Sequence, residues 1–114
     1  MPFWKDKIKP DGAGYYDVLA ISDLIDNKMS SVLVNGETIM ITKLDEQIRA
    51  FSAQCPHASG NLAKGSYYRG RIDCPEHEYR FDVRTGRAIW PEDELCRLRF
   101  FEVLVDDGRV KVKL

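Results

Sequence analysis

Two short motifs hold most of the metal-binding chemistry of this chain: Cys55-Pro56-His57 and Cys74-Pro75-Glu76-His77. They contain both of its histidines and two of its three cysteines. Two thiolates and two imidazoles suit either one zinc ion or a two-iron cluster. Zinc would gather all four donors around a redox-silent ion. A cluster would divide them between two irons. The spacing alone leaves both open. A disulfide with one thiol left over is a weaker account, because each of these cysteines carries a histidine at ligand spacing.

The frame that positions these residues is small. A chain of 114 residues is expected to be one domain, able to bury roughly two-thirds of its unfolded surface. The formal charge of −1 gives no field that favours nucleic acid. Residues 1–14 contain no apolar run, since Lys5, Asp6, Lys7 and Lys9 interrupt it, so no secretory signal is read there. No stretch approaches the ~20 apolar residues of a membrane span. A soluble protein of the reducing cytoplasm is expected.

Along the chain, residues 1–14 read as a loose arm ending in Pro10-Asp11-Gly12-Ala13-Gly14. Residues 15–114 read as one domain, with the metal region at about 54–92. Tyr15 to Ile21 predicts a strand, and Ser22 to Asp26 a helical turn capped by Ser22. Val32-Leu33-Val34 and Thr38 to Thr42 flank Asn35-Gly36, a strong hairpin signal because both residues tolerate positive φ. A turn at Asp45-Glu46-Gln47 leads to a strand at Ile48–Ala53, just before the first motif. Residues 58–73 read mostly as loop, with a short strand at Arg71-Ile72-Asp73 feeding the second motif. Tyr79 to Asp82 and Arg87 to Trp90 follow around Thr85-Gly86, and Asp106-Asp107-Gly108 joins a terminal hairpin. Short strands without a long amphipathic helix predict an all-β antiparallel sandwich or barrel.

From Cys55 to Pro91 the chain shows Cys-Pro-His, Leu62, Gly65, Cys-Pro-Glu-His, Phe81-Asp82 and Thr85-Gly86 before Pro91. This pattern resembles the Rieske ferredoxin family over about residues 33–114. The resemblance implies a β-sandwich or barrel with a cluster-binding subdomain formed by two loops. It further implies one [2Fe–2S] cluster, with Cys55 and Cys74 on one iron and His57 and His77 on the outer, solvent-facing one. Replacing two thiolates by neutral imidazoles removes two negative charges, which makes reduction easier than at an all-cysteine cluster. The family's high-potential members carry a serine and a tyrosine where this chain has Tyr79 and Phe81, and a loop disulfide at the positions of Gly60 and Glu76. Both departures imply the lower part of the range of roughly −150 to +300 mV.

Gly60 and Gly65 could admit backbone N–H groups to the sulfides or simply loosen the loop. Trp90 reads as core or docking rim, and Pro91 as part of a third loop over the cluster. Glu92-Asp93-Glu94, Lys64, Arg69 and Arg71 read as solvated surface, and Cys96 as a small buried residue. Once the histidines ligate iron, no nucleophile set remains, and no phosphate loop or dinucleotide fingerprint appears. The chain is therefore read as an electron-transfer component, not an enzyme. The resemblance implies a carrier between a flavin-dependent reductase and a terminal oxygenase, both docking near His57 and His77. An alternative is the small subunit of an assimilatory nitrite reductase, on the weak signal of an acidic turn before Cys96. A zinc-stapled binding or regulatory module is the third reading.

Overall fold

A computed structural model describes residues 10–56, 60–76 and 78–114. The described chain is all-β. Six strands form one antiparallel sheet: β1 (Tyr15–Ala20), β2 (Met29–Val34), β3 (Glu37–Leu44), β4 (Gln47–Ser52), β9 (Phe100–Asp106) and β10 (Arg109–Lys113). Their order is β1-β10-β9-β4-β3-β2. The end strands β1 and β2 come into contact, so the sheet curls into a nearly closed barrel. A second antiparallel sheet takes β5 (Ser66–Tyr68), β6 (Arg71–Asp73), β7 (Arg80–Asp82) and β8 (Ala88–Trp90) in sequence order.

Two-residue turns set the register of this fold. Asn35-Gly36, Asp45-Glu46, Arg69-Gly70 and Asp107-Gly108 all have positive φ at both residues. That geometry matches the right-handed twist of the flanking strands. The residues on either side pair directly: Val34 with Glu37, Leu44 with Gln47, Tyr68 with Arg71, and Asp106 with Arg109.

Strand β3 lies between two cores. Ile39 and Ile41 join Val34, Ala50, Phe101 and Val112 inside the barrel. Met40 and Leu44 face the other way and join Phe51, Leu62, Ile72, Phe81, Val83 and Leu98 under the small sheet. The period-2 alternation of a strand thus supplies both layers. Buried Thr42 satisfies its hydroxyl by donating to the Lys28 carbonyl at 2.8 Å. Cys55 and Cys74 belong to the second core, so the ligand candidates grow out of the layer that joins the two sheets.

The expected turn after β1 differs in detail. A 3₁₀ turn covers Ile21–Asp23, and Ala20 occupies the cap position without a side-chain bond. Ser22 therefore sits inside the turn and caps nothing; the backbone bond from Leu24 N–H to the Ile21 carbonyl closes it. The segment read as loop also contains a strand, β5, and a 3₁₀ turn at Leu62–Lys64 capped by the Asn61 side chain. The proposed arm lies outside the described residues up to residue 9. Its last part is a turn in which Asp11 Oδ1 accepts from the N–H groups of Ala13 and Tyr15. Among the described residues no helix is long and apolar enough to cross a membrane.

A charged latch joins the sheets at the end away from the cysteines. Arg84 donates through Nε to Asp45 Oδ2, and Arg49 donates to the Arg84 carbonyl at 3.1 Å. The hydrogen bond from Arg84 holds the Asp45 carboxyl below its ordinary value. A carboxyl whose folded pKa is depressed stabilises above its unfolded pKa, about 3.9. That contribution is lost as pH falls through the folded value. Asp45→Asn keeps a residue suited to positive φ. It is expected to lower Tm slightly at pH 7, with the gap from the parent closing as pH falls below the unfolded value of about 3.9. Thermal melts from pH 7 to 2.5 check this; a gap of constant size would show that the latch contributes nothing that depends on pH.

Candidate metal centre

Cys55 and Cys74 sit at hairpin ends of the same design. In the first, Leu62 N–H bonds to the Ala53 carbonyl, Gln54 bridges to Asn61, and Cys55 N–H bonds to the Gly60 carbonyl at 2.8 Å. In the second, Asp73 pairs with Arg80, and Cys74 N–H bonds to the Tyr79 carbonyl at 2.9 Å. Cys55 thus pairs with Gly60 and Cys74 with Tyr79, each across four intervening residues of sequence, 56–59 and 75–78. One histidine falls within each of these sequence intervals. His57 and His77 lie outside the described residues, and so do Ala58 and Ser59.

The tips meet. A Cβ added to Gly60 would stand 2.8 Å from Cys74 Sγ and 3.6 Å from Cys55 Cβ. Gly60 therefore lies directly against the second cysteine, at a distance only a missing side chain allows. Cys55 and Cys74 are 1% and 5% exposed, and they form no disulfide. Glu76 Oε2 would be 3.5 Å from the same Cβ, so positions 60 and 76 are neighbours across the tips. These are the two positions that carry a bridge in the high-potential proteins; glycine and glutamate cannot make one.

Gly65 has a different role. A Cβ there would stand 2.0 Å from the Asp73 carbonyl oxygen, so its small size serves the approach of the loop to β6. Phe81 is fully buried in the core that contains both cysteines, and its ring lies 6.3 Å from that of Tyr79.

A third loop, residues 91–96, is tied to the second tip. Pro91 follows a cis peptide bond, and Glu94 N–H bonds to the Pro91 carbonyl at 3.2 Å. Glu94 Oε1 accepts from Cys96 N–H at 3.0 Å, and Glu94 Oε2 accepts from the Tyr79 hydroxyl at 3.0 Å. The Cys96 N–H is the chief cause that lowers the Glu94 pKa, while the bonds to Glu94 raise those of Tyr79 and the Cys96 thiol. Glu94, read from sequence as solvated surface, is instead a structural clamp. Cys96 is half-buried beside it, not enclosed in the core. Sequence reasoning missed this clamp because Glu94 stands in an acidic run and its partner Tyr79 is distant in the chain.

The donor chemistry fits an iron–sulfur centre. Two thiols converge in a mostly apolar layer with no disulfide, and a glycine leaves room beside them. Thiolates there need a cation to offset their charge. The structure carries no metal.

Comparisons with known proteins agree with this arrangement. The family model described as the Rieske [2Fe–2S] domain matches residues 14–100. The ferredoxin component of the naphthalene 1,2-dioxygenase system of Pseudomonas putida is 30% identical over 102 residues, covering 88% of this chain and 95% of its own. The ferredoxin of carbazole 1,9a-dioxygenase from Nocardioides aromaticivorans IC177 superposes with a TM-score of 0.72 at 28% identity, covering 87% of this chain and 96% of that one. A chain from a complex of reduced oxygenase and oxidized ferredoxin in carbazole 1,9a-dioxygenase superposes with a TM-score of 0.76 at 28% identity, covering 88% of this chain and 93% of that one.

Proposed function

This chain belongs to the Rieske [2Fe–2S] domain family, and from that premise we propose that it is a one-electron carrier serving a terminal oxygenase. Cys55 and Cys74 hold one iron, and His57 and His77 hold the other. Residues 15–114 act as one Rieske domain, with the cluster region at about 54–92. The observation that supports the reading is the close approach of Gly60 to both cysteines, which brings Cys55 and Cys74 together. Relatives of nearly the same length are ferredoxin components of dioxygenase systems.

Bound there, a [2Fe–2S] cluster supplies reversible one-electron chemistry. The chain's own residues do the rest. Cys55 and Cys74, held at hairpin ends, fix the inner side of the site in an apolar layer that excludes water. The imidazoles keep the donor set two charges less negative than four thiolates would be. All four donors come from the protein, which leaves no open position for a substrate and favours electron transfer over catalysis. We assign the electron source to a flavin-dependent reductase, the acceptor to a terminal oxygenase and the docking edge to the surroundings of His57 and His77. A cytoplasmic carrier suits the thiol chemistry.

The test is stepwise. The reconstituted protein is reduced by NADH through a flavin-dependent ferredoxin reductase, then mixed anaerobically with the oxidised terminal oxygenase of the naphthalene system. Reduction and reoxidation, each by one electron per chain, support the assignment. Protein that neither partner reduces or reoxidises contradicts it, and stable copurification with a sirohaem subunit selects a nitrite reductase role instead.

Phe81 gives a second prediction. A phenol in its place would add a hydroxyl to the core that contains both cysteines. Phe81→Tyr is expected to raise the midpoint potential by on the order of tens of millivolts if that hydroxyl donates to a cysteine sulfur. Protein-film voltammetry checks the shift. No change in a variant whose crystal structure shows the bond counts against the low-potential assignment.

A further inference from the structure

Leu95 is 91% exposed. An apolar side chain so open on a slack loop would mean little, but this one stands between two anchored residues. Glu94 is clamped to Tyr79 and to the Cys96 N–H, and Cys96 is half-buried. Holding Leu95 in place therefore costs no further ordering of the loop when a partner covers it, which is the economy of a preorganised contact residue. Trp90, 51% exposed, precedes the same loop and pairs in register with Arg80, the residue that closes the second motif's hairpin.

Charge around Leu95 is distributed unevenly. Asp17, Asp26, Asp45, Asp73 and Asp106 each face an arginine or lysine within 4.0 Å. Glu78 on the second tip, and Glu92 and Asp93 on the third loop, are exposed. Among the described residues those three take part in no ion pair or side-chain hydrogen bond. The Tyr79–Glu94 bond holds the two loops together, so these carboxylates share one end of the molecule with Leu95. Arg80, which lines one surface cavity with Glu76 and Glu78, is paired with Asp73, so the exposed carboxylates leave local negative charge beside the cysteines.

We propose that Leu95, flanked by Glu78, Glu92 and Asp93, is the contact surface for a partner protein whose face carries an apolar socket ringed by lysine and arginine. This rests on the carrier reading and names the chemistry of the partner that the carrier meets. The carboxylates steer and orient the encounter, and Leu95 seats it. Such a small, mixed contact suits a transient complex below roughly 1,200 Å².

The probe is ferricytochrome c, a basic protein whose exposed haem edge is ringed by lysines; ferricyanide, a small anion, is the control. In each assay one electron passes from the reduced protein to the ferric acceptor, and no proton moves. The rim variant carries Glu78→Gln, Glu92→Gln and Asp93→Asn. A matched remote variant carries Asp23→Asn, Glu46→Gln and Asp107→Asn, with the same change in net charge. Reduced cluster content is equalised by its paramagnetic resonance signal before stopped-flow mixing at about 10 mM ionic strength.

The rim variant is expected to react with cytochrome c about tenfold more slowly than the parent, and faster than the parent with ferricyanide. The remote variant should change either rate by less than about twofold. Leu95→Ser should slow cytochrome c about threefold even at high salt, where charges are screened, and leave ferricyanide unaffected. Equal effects of the rim and remote sets, or a Leu95→Ser rate equal to the parent's, overturn the proposal. Absence of a reducible cluster overturns the carrier reading itself, and shows as a missing signal before any acceptor is added.

Discussion

Gly60→Ala is expected to take up less than about a tenth of the parent's iron and sulfide under identical reconstitution. The added methyl would stand 2.8 Å from Cys74 Sγ, well inside the 3.5–4.0 Å at which carbon and sulfur sit comfortably. Relief is blocked on each side. Cys74 is held by its N–H bond to the Tyr79 carbonyl, and its thiol is buried in the shared core. Gly60 is held by its carbonyl, which accepts from Cys55 N–H at 2.8 Å. Moving either residue by the required ~1 Å displaces a proposed ligand, and metal sites tolerate about 0.2 Å. The barrel core lies elsewhere, so the variant should still fold. Iron and acid-labile sulfide analysis reads the loading, and far-ultraviolet circular dichroism reads the fold. Full loading would show that the tips yield freely and that the close approach is incidental.

Replacing an imidazole by a thiolate has the largest expected effect on the redox properties. His77→Cys adds one negative charge to the donor set, which opposes the incoming electron. The midpoint potential of the fraction that assembles should fall by on the order of 100 mV or more, toward the ≈ −400 mV of all-cysteine plant-type clusters. Voltammetry at constant pH checks this. An unchanged or higher potential would contradict the electrostatic account of the mixed donor set.

The comparison of sequence with structure divides along the distance over which a residue finds its partner. Asn35-Gly36 and Asp107-Gly108 were legible as hairpins because the turn chemistry is local. Arg69-Gly70 adopts the same geometry, yet an arginine at positive φ gives no such signal, and the sequence of strand β5 before it reads as loop. The Ser22 cap failed for a related reason. Serine favours cap positions in general, but here the turn starts at Ile21, whose N–H bonds to the Gly108 carbonyl of the terminal hairpin. Tertiary pairing set that boundary.

The site shows the same split. The motifs announced Cys55 and Cys74 as a pair, and the structure brings them to one place. Gly60 was legible only as a residue that could allow close approach; its neighbour, Cys74 Sγ, became visible only with the tips assembled. Glu94 was not legible at all. It stands beside Glu92 and Asp93 with no distinguishing type or spacing, and its bonds from the Tyr79 hydroxyl and the Cys96 N–H give it a separate role. The histidines, the clearest residues in the sequence, lie outside the described residues, so their part as ligands rests on chemistry and family.

Pulsed electron paramagnetic resonance of the chain, after reconstitution and one-electron reduction, tests the central claim most directly. Mixed ligation by Cys55, Cys74, His57 and His77 predicts an S = 1/2 signal with couplings to two inequivalent imidazole nitrogens, accompanied by equal amounts of iron and acid-labile sulfide. Each of His57→Cys and His77→Cys should remove one coupling. A colourless protein holding zinc, or a reducible cluster without nitrogen coupling, would contradict it.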